Sequence, residues 1–472
     1  MKRFIFFIFL SCTATAQLRE VAEVTLMLPE GINESIEVVP VNDDILLVNL
    51  QEDYLRREQK VVVVKYNPDL ELTWTGNAVG PRFYEPVSFV VSGQSLYYLF
   101  KEKEGKKLHL MQFDLENEII SAFDFESITV LENIGFTVFN GKPLISGIYN
   151  LKPVVEMHNL KEKTAKVLPD IYNKNNELKG IFLNPYRDEL YVFSSLRNNC
   201  QMQVATYDDD GKLLFRRGLG DKKHRVKQFE VRLGPNGEPY VLGTYNSSCL
   251  DMTEGLVTGS LDLPQSIRYH SIAGLPGYRA SLSDKKRRRL QLRKERGKGE
   301  VRQKAIFHVP VSAINGFLLA TEFYNMQSTS RATAQVEFSD ATGRTVHLSE
   351  FKVWRILLAE LDTEGNVTYD RLFKLEGDGF RRLTPQSAFL FKNEEFYAFL
   401  PSGNKLIYTG SGKVESHLLF KTGEGIRVTD TDTRLFNLSS STFIAHGTAD
   451  IRPVASEGTS QQIYFIKKLQ FQ

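Results

Sequence analysis

The sequence predicts an all-β protein built from repeated units of short strands, and three observations support this. Apolar runs rich in β-branched and aromatic residues recur along the chain, and turn sequences such as Asp210-Gly211 separate them. The first five runs start near residues 45, 96, 143, 190 and 239, so that consecutive starts are about 50 residues apart. Almost no helical periodicity falls between them. Regular repetition at this spacing is typical of a repeat fold.

The stretch from Glu189 to Gly218 shows the repeated unit most clearly. Leu190–Phe193 is an apolar run, and Met202–Tyr207 alternates between apolar and polar residues. Asp210-Gly211 is a hairpin turn signal that precedes the apolar run Leu213–Phe215. The unit is therefore predicted to be strand, loop, strand, tight turn and strand.

Eight such units are predicted along the chain, one or two of them partial. Their leading strands are Ile45–Val48, Leu96–Phe100, Pro143–Gly147, Leu190–Phe193, Pro239–Tyr245, Gly316–Tyr324, Glu395–Leu400 and Thr442–Gly447. The run Ile463–Leu469 is predicted to be a closing strand. Because one unit cannot bury its faces alone, closing the units into a ring removes the free ends of an open array. We predict a β-propeller of seven or eight four-stranded blades, with two packed β-domains divided near residues 260–305 as the alternative.

Residues 1–16 are predicted to be a signal peptide. Lys2 and Arg3 precede the apolar run Phe4–Leu10, and Ala14–Ala16 supplies small residues for cleavage before Gln17. We therefore expect an exported protein that is periplasmic, exposed on the outer surface or secreted. Its propeller is expected to form a single domain over residues 17–472.

Two further features bear on membrane attachment. Leu10-Ser11-Cys12 places a small residue before a cysteine, so lipid anchoring through Cys12 is an alternative to simple export. No later stretch approaches the ~20 apolar residues that span a bilayer, and no membrane span is predicted.

Cys200 and Cys249 follow strands at matching places in neighbouring units, in the sequences NNC and SSC. Loops at equivalent positions of adjacent β-units bring two thiols within bridging distance, and export exposes them to oxidising conditions. We predict a disulfide between them. Two independent thiols are the alternative.

Two stretches interrupt the repeat. Residues 260–305 are predicted to be an irregular basic insertion, in which Ser281 and Asp284 cap a short helix ending at Gly297. Only Leu290 and Leu292 are apolar in that helix, so the insertion is not expected to contribute to the core. Residues 325–350 are predicted to be a polar insertion within a later unit.

The basic insertion is the strongest electrostatic feature of the chain. Residues 284–304 contain eleven Lys or Arg and three acidic residues, a balance of +8 within a chain of net charge +2. The candidate residues for an anionic-ligand patch are Lys285, Lys286, Arg287, Arg288, Arg289, Arg293 and Lys294. A charge run of this kind is more typical of a solvated loop with no ligand, and a patch that binds an anionic envelope polymer or an acidic protein is the functional alternative. Nucleic acid is not expected, because no aromatic residues are interleaved for base stacking.

Catalytic and metal-binding motifs are not found. The sequence has no HExxH and no GxSxG, and its eight histidines are scattered, with His446 the most favourably placed to approach a central channel. The acidic run before Gly211 is interpreted as a hairpin turn and not as a calcium loop. Glu322 and Glu360 are available to a hydrolase, but their relative position cannot be read from the sequence. No catalytic residue, metal or cofactor is predicted.

The turn sequences DDDG and TEGN, each followed by a strand, and strand-end aromatics such as Phe215 resemble those of the degenerate β-propellers of exported bacterial proteins. The resemblance covers nearly the whole mature chain. No Trp-Asp blade ending, kelch double glycine or calcium-loop repeat is present, so no specific named family is matched. The resemblance carries over no catalytic residue. Because recognition commonly lies on variable loops of a rigid β-framework, we predict a non-catalytic binding or scaffold module in the cell envelope, with the two insertions as its recognition surface. A hydrolase of glycans or peptides, with residues converging in the propeller channel, is the alternative.

Overall fold

The computed structural model describes residues 18–28, 33–53, 58–221, 223–234, 236–296, 301–313, 316–327, 350–374, 386–392, 395–410, 414–420, 426–439, 441–453 and 461–471. The predicted signal peptide 1–16, with Cys12, and most of the predicted polar insertion 325–350 lie outside these residues.

Eight antiparallel sheets form the blades of a propeller, and the chain runs through most blades from the innermost strand outward. The N-terminal strand β1 (Leu18–Met27) precedes the first blade and belongs to the last. Blades 1 and 2 comprise β2 (Asn33–Val41), β3 (Asp44–Asp53), β4 (Glu58–Tyr66), β5 (Leu72–Val79), β6 (Tyr84–Ser92), β7 (Ser95–Glu102), β8 (Lys107–Asp114) and β9 (Ile119–Glu126). Blades 3 and 4 comprise β10 (Glu132–Phe139), β11 (Lys142–Tyr149), β12 (Lys152–Asn159), β13 (Thr164–Val167), β14 (Asn176–Asn184), β15 (Glu189–Leu196), β16 (Met202–Tyr207) and β17 (Leu213–Leu219).

The second half of the ring contains the helices. Blades 5 and 6 comprise β18 (Arg225–Leu233), β19 (Pro239–Asn246), β20 (Gly255–Ser260), β21 (Arg268–Ser271), β22 (Ala305–Phe307), β23 (Val311–Ala313), β24 (Gly316–Gln327), β25 (Glu350–Asp362) and β26 (Val367–Phe373). Blades 7 and 8 comprise β27 (Ala388–Lys392), β28 (Glu395–Ser402), β29 (Lys405–Thr409), β30 (Val414–Leu418), β31 (Ile426–Asn437), β32 (Thr442–Pro453) and β33 (Gln461–Phe471), together with β1. The helices are short 3₁₀ turns at Pro264–Ser266 and Ile272–Gly274, α1 (Pro276–Ala280) and α2 (Asp284–Glu295). No helix in this described part of the chain is long and apolar enough to cross a membrane.

The prediction of a propeller is confirmed, with eight blades. Each of the eight leading strands identified in the sequence is the second strand of its blade, β3, β7, β11, β15, β19, β24, β28 or β32. A second strand is paired on both sides and packed against a blade on each face, so its sequence is almost continuously apolar. In β15, for example, the six residues from Leu190 to Ser195 are all buried.

Strand β1 closes the ring. It pairs antiparallel with β33, with Leu18 opposite Phe471 and Met27 opposite Ile463. The predicted closing run Ile463–Leu469 lies within β33, which is the third strand of blade 8, so the outermost strand comes from the N-terminal end of the described chain. From Val21 onward the residues of β1 alternate between exposed and half-buried positions, as expected for an outermost strand.

Every junction between neighbouring blades contains its own core cluster. The junction of blades 1 and 2, for example, packs Val48 and Val63 against Leu96 and Phe113. Burial of this kind contributes roughly 1.5–3 kcal/mol for each large apolar side chain. The ring is thus stabilised by contacts between successive blades, as expected for a repeat fold.

Part of the predicted basic insertion 260–305 belongs to the regular fold. Residues Arg268–Ser271 form β21, the outermost strand of blade 5, and Ile272, Leu275 and Tyr278 are buried in the core between blades 5 and 6. Blades diverge towards the outside of a ring, and this apolar segment fills the widening space. The expectation that the insertion would leave the core unaffected therefore does not hold for residues 272–282.

Candidate functional site

The upper face of the ring, defined here as the face at which the innermost strands begin, carries the irregular features of the molecule. Connections from one blade to the next and loops between second and third strands both lie on this face, because the strands of each blade alternate in direction. The loop 247–254, the disulfide and the return of the 272–304 connection to blade 6 all belong to it.

Two cavities of about 400 Å³ and 630 Å³ lie at this face beside blades 5 and 6, and both are lined by Tyr324. Together they form what we call the blade 5–6 cleft. Its charged and aromatic lining consists of Lys179, Lys227, Arg302, Lys304, Glu230, Asp251, Phe229, Phe307, Tyr324 and Trp354. Four cations and two acids give the lining an excess of positive charge.

A side-chain amide joins the inner strands that border the cleft. Gln228 on β18 accepts a hydrogen bond from the Phe307 backbone N–H at 2.7 Å and donates to the Ala305 carbonyl at 3.0 Å. Gln228 therefore joins β18 of blade 5 to β22 of blade 6 by two hydrogen bonds. This arrangement holds the inner wall of the cleft in one position.

The outer wall is held by an ion pair between the exposed Arg302 and the buried Glu254. Arg302 Nε donates to Glu254 Oε1 at 2.6 Å, and Ser247 donates to the same carboxylate through its backbone N–H at 2.7 Å. Burial alone would raise the pKa of Glu254, but the bonds from Arg302 and Ser247 hold that pKa below its ordinary value. Next to Glu254, the backbone groups of Thr253 and Gln303 exchange two hydrogen bonds, at 2.7 and 3.0 Å. The carboxylate therefore stays ionised and fixes Arg302 at the rim.

The predicted disulfide is present. Cys200 and Cys249 are bonded with their Cα atoms 5.6 Å apart, and they join the loops that follow the second strands of blades 4 and 5. Cys249 lies two residues before Asp251, which lines the cleft. The bond therefore connects blade 4 to the loop that supplies the acidic side of the cleft.

Lys227 has the most unusual environment among the cleft cations. Burial lowers its pKa, Asp251 opposes that change, and Arg225 and Lys179 lower the pKa further. Lys179 has a carboxylate partner, since its Nζ is 2.6 Å from Glu177 Oε1. For Lys227 the described residues supply neither a hydrogen-bond acceptor nor an ion pair within 4 Å.

Burial shifts the pKa of two other groups in the cleft. Burial raises the pKa of Tyr324, and the nearby charge of Asp251 raises it further. Burial also raises the pKa of Glu230, against the opposing effect of Arg232. Desolvation therefore disfavours the charged form of Glu230, as it does that of Lys227.

The predicted anionic-ligand patch lies on α2, in the same connection that supplies Arg302 and Lys304. Leu290 packs against the core between blades 5 and 6, which anchors the helix. The patch side chains Lys285, Lys286, Arg287, Arg288, Arg289 and Arg293 are exposed to solvent, and that of Lys294 lies outside the described side chains. Arg287 also forms an ion pair with Asp284 at 2.7 Å. The sequence identified α2 but not Lys179 and Lys227, which come from strands of blades 4 and 5 far from it in the chain.

The other sequence candidates have structural roles in the fold. His446 is buried, its Nδ1 is 2.8 Å from the Tyr464 hydroxyl, and it lies beside a channel-side cavity of about 200 Å³ that Arg434 and Glu37 also line. Glu322 is fully buried and accepts hydrogen bonds from His308 and from the Ser387 backbone N–H. These groups are enclosed by protein.

The acidic turn before Gly211 reverses the chain as predicted. Asp208 Oδ1 accepts backbone hydrogen bonds from Asp210 at 3.1 Å and from Lys212 at 2.8 Å, and Gly211 has a φ of +68°. Across the residues that the structure describes, no group of three or more His, Cys, Asp or Glu side chains is placed to hold a metal ion.

Comparison with known proteins finds only distant structural similarity. No protein-family model matches it, and no curated protein matches its sequence. Among solved structures, a prolyl endopeptidase aligns at 12% identity and a TM-score of 0.41, covering 88% of this chain and 54% of that one. The β-propeller domain of the Trilobed protease from Pyrococcus furiosus aligns at 8% identity and a TM-score of 0.31, covering 81% and 96%. A quinonprotein alcohol dehydrogenase-like protein from Bacteroides thetaiotaomicron aligns at 14% identity and a TM-score of 0.38, covering 74% and 68%.

The chain thus spans about half the length of the prolyl endopeptidase it resembles. Similarity of this size assigns no chemistry to the chain. The function has to be argued from the cleft itself.

Proposed function

We propose that this protein is an exported, non-catalytic β-propeller that binds an anionic polymer or an acidic partner of the cell envelope at its upper face. The blade 5–6 cleft receives one anionic group, and α2 contacts neighbouring negative charges. The observation that carries the proposal is the half-buried Lys227, which forms no ion pair within 4 Å among the described residues and shares its cavity with Lys179. An anionic ligand supplies the close ionic contact that this lysine does not make within the described protein.

Export is supported by two independent features. The disulfide between Cys200 and Cys249 fits an oxidising compartment, and residues 1–16 have the composition of a signal peptide. A loop-borne recognition surface on a rigid β-framework fits a binding module.

Binding is tested by biolayer interferometry on immobilised polygalacturonate, a polymer of carboxylated sugars, with dextran as the neutral reference. We expect binding to polygalacturonate that weakens at least tenfold between 50 and 500 mM NaCl, because salt screens exposed charges. Lys227→Met is expected to weaken binding because it removes the amine from the cleft. The triple variant Lys285→Glu, Arg288→Glu, Arg289→Glu is expected to weaken binding because it reverses three charges on α2.

A matched control separates a local patch from overall charge. Lys161→Glu, Lys166→Glu and Lys212→Glu change three exposed lysines of blades 3 and 4 away from the upper face, with the same change in net charge. The control is expected to bind like the unmodified protein. Equal weakening in both triple variants, or equal binding to dextran, contradicts the proposed site.

A further inference from the structure

Lys227 is placed as a nucleophile would be. It is the third residue of the inner strand β18, and its side chain lines a cavity of about 400 Å³ together with Phe229, Phe307 and Tyr324. A cavity of this size admits a small organic molecule. Since the described residues offer its Nζ no hydrogen bond, the nitrogen is not occupied by a structural contact.

The charged groups around Lys227 favour its neutral amine. Burial has the largest effect, and the cations Arg225 on the same strand and Lys179 on β14 add to it, so that the pKa of Lys227 is lowered. Asp251 on the loop 247–254 opposes them. Glu230 on β18 also lines the cavity, and burial raises the pKa of its carboxyl group. A desolvated lysine beside other cations is a recognised way of activating an amine.

We propose that Lys227 forms an imine with small carbonyl compounds that carry a carboxylate, an inference that rests on the proposed binding of anions in the same cleft. The nitrogen lone pair attacks the carbonyl carbon, a C–N bond forms, and the π electrons move to the oxygen, which takes a proton. Loss of water from this carbinolamine gives the imine. Amine and carbonyl are converted to imine and water, so no oxidant or reductant is needed. Lys179, which lines the same cavity and is paired with the exposed Glu177, supplies a positive charge that attracts the carboxylate.

The test uses glyoxylate, which has an aldehyde next to a carboxylate, with sodium cyanoborohydride to reduce the imine to a stable carboxymethyl adduct. The full chain is treated at pH 6.5, and peptide mass spectrometry measures the labelling rate of each lysine. We expect Lys227 to be labelled at least fivefold faster than the exposed Lys161 and Lys166. The ratio is expected to decrease as the pH rises to 9.5, because the surface amines then lose their protons as well.

Two variants link the reactivity to the site. Asp251→Asn removes the carboxylate that opposes the other charges, so the labelling of Lys227 at pH 6.5 is expected to increase. Lys179→Met is expected to raise the glyoxylate concentration needed for half-maximal labelling, since it removes the positive charge that attracts the carboxylate. Asp251 is exposed, and its replacement is compatible with folding.

The outcome separates this inference from the proposed function. If Lys227 is labelled no faster than Lys161 and Lys166 while polygalacturonate still binds, the imine is refuted and the anionic site remains. If polygalacturonate and glycolate, which has a hydroxyl group in place of the glyoxylate aldehyde, both fail to bind and Lys227 is not labelled preferentially, both proposals are wrong. If Lys227 is labelled preferentially but Asp251→Asn does not change its labelling rate, the assignment is also overturned. The local charges would then not control the reactivity of the Lys227 amine.

Discussion

Lys467 on β33 binds Glu20 on β1, with its Nζ 2.9 Å from the Glu20 Oε2. The same ammonium lies 3.0 Å from Glu23 Oε2 and 4.8 Å from the centre of the Phe420 ring. Its side chain is 4% exposed, whereas about a third of each glutamate side chain remains accessible. One buried cation thus binds both carboxylates that β1 brings to the closure of the ring.

Replacing Lys467 by methionine is expected to destabilise the closure. Methionine keeps much of the apolar stem but leaves Glu20 and Glu23 beside an uncharged neighbour, so we expect a loss of about 1–3 kcal/mol in the free energy of unfolding. Urea denaturation measures the effect. Lys405→Met, at an exposed position of β29, serves as the control and is expected to change stability little. Identical midpoints for the two variants would show that the ion pair makes no net contribution.

The disulfide is expected to stabilise the upper face. Cys200 and Cys249 are 49 residues apart, and removing the bond by Cys249→Ser is expected to cost about 2–4 kcal/mol. Dithiothreitol should destabilise the unmodified protein to a similar extent and should not affect the double variant Cys200→Ser/Cys249→Ser. Guanidinium denaturation measures both effects. A reductant effect of the same size in the double variant would indicate another cause.

The strands that were recognised in the sequence are those with the simplest environment. Second strands such as β15 are buried on both faces and therefore appear as continuous apolar runs. Inner strands such as β10 combine exposed, half-buried and buried residues, and β1 pairs with a strand more than 430 residues away in sequence. No local sequence pattern indicates a pairing between strands that are so far apart in the sequence.

Tight packing beside α1 gives a prediction at a glycine. The backbone N–H groups of Gly277 and Tyr278 donate to the Asp370 carboxylate at 3.0 and 2.8 Å, and a Cβ on Gly277 would lie 2.0 Å from the Asp370 carbonyl oxygen. Gly277→Ala should therefore destabilise the protein by about 1–3 kcal/mol, since α1 must move away from β26.

The neighbouring Gly274 provides the matched control for this substitution. A Cβ there would lie 3.8 Å from its nearest neighbour, Ser271 Cβ, which is an ordinary contact. Thermal unfolding of Gly274→Ala should resemble that of the unmodified protein. A stability of Gly277→Ala equal to that of Gly274→Ala would contradict the close approach of α1 to β26.

The candidate site was only partly predictable for a related reason. The charges of α2 are consecutive in sequence, so their composition is sufficient to identify them. Lys179 and Lys227 come from different blades, and each is one charged residue among many until the ring brings them into one cavity. The disulfide was predictable because the repeat itself places Cys200 and Cys249 at equivalent positions.

Buried His446 gives a prediction on pH. Burial, and to a smaller extent the charge of Arg434, lower its pKa from 6.5 to about 3. The unfolded chain therefore takes up a proton below pH 6.5 that the folded protein does not bind, and the free energy of unfolding decreases as the pH falls through this range. His446→Asn removes the titrating group and is expected to reduce the slope between pH 4.5 and 6 by up to about 1.4 kcal/mol per pH unit.

Urea denaturation at several pH values between 4.5 and 7 measures this slope. Tyr464→Phe is the control, because it removes the hydroxyl that contacts His446 but keeps the imidazole buried. We expect this variant to be less stable than the unmodified protein at every pH and to retain its slope. If His446→Asn and the unmodified protein had the same slope, the unfolded and folded states would bind equal numbers of protons at this residue. His446 would then have to be accessible to solvent in the folded ring.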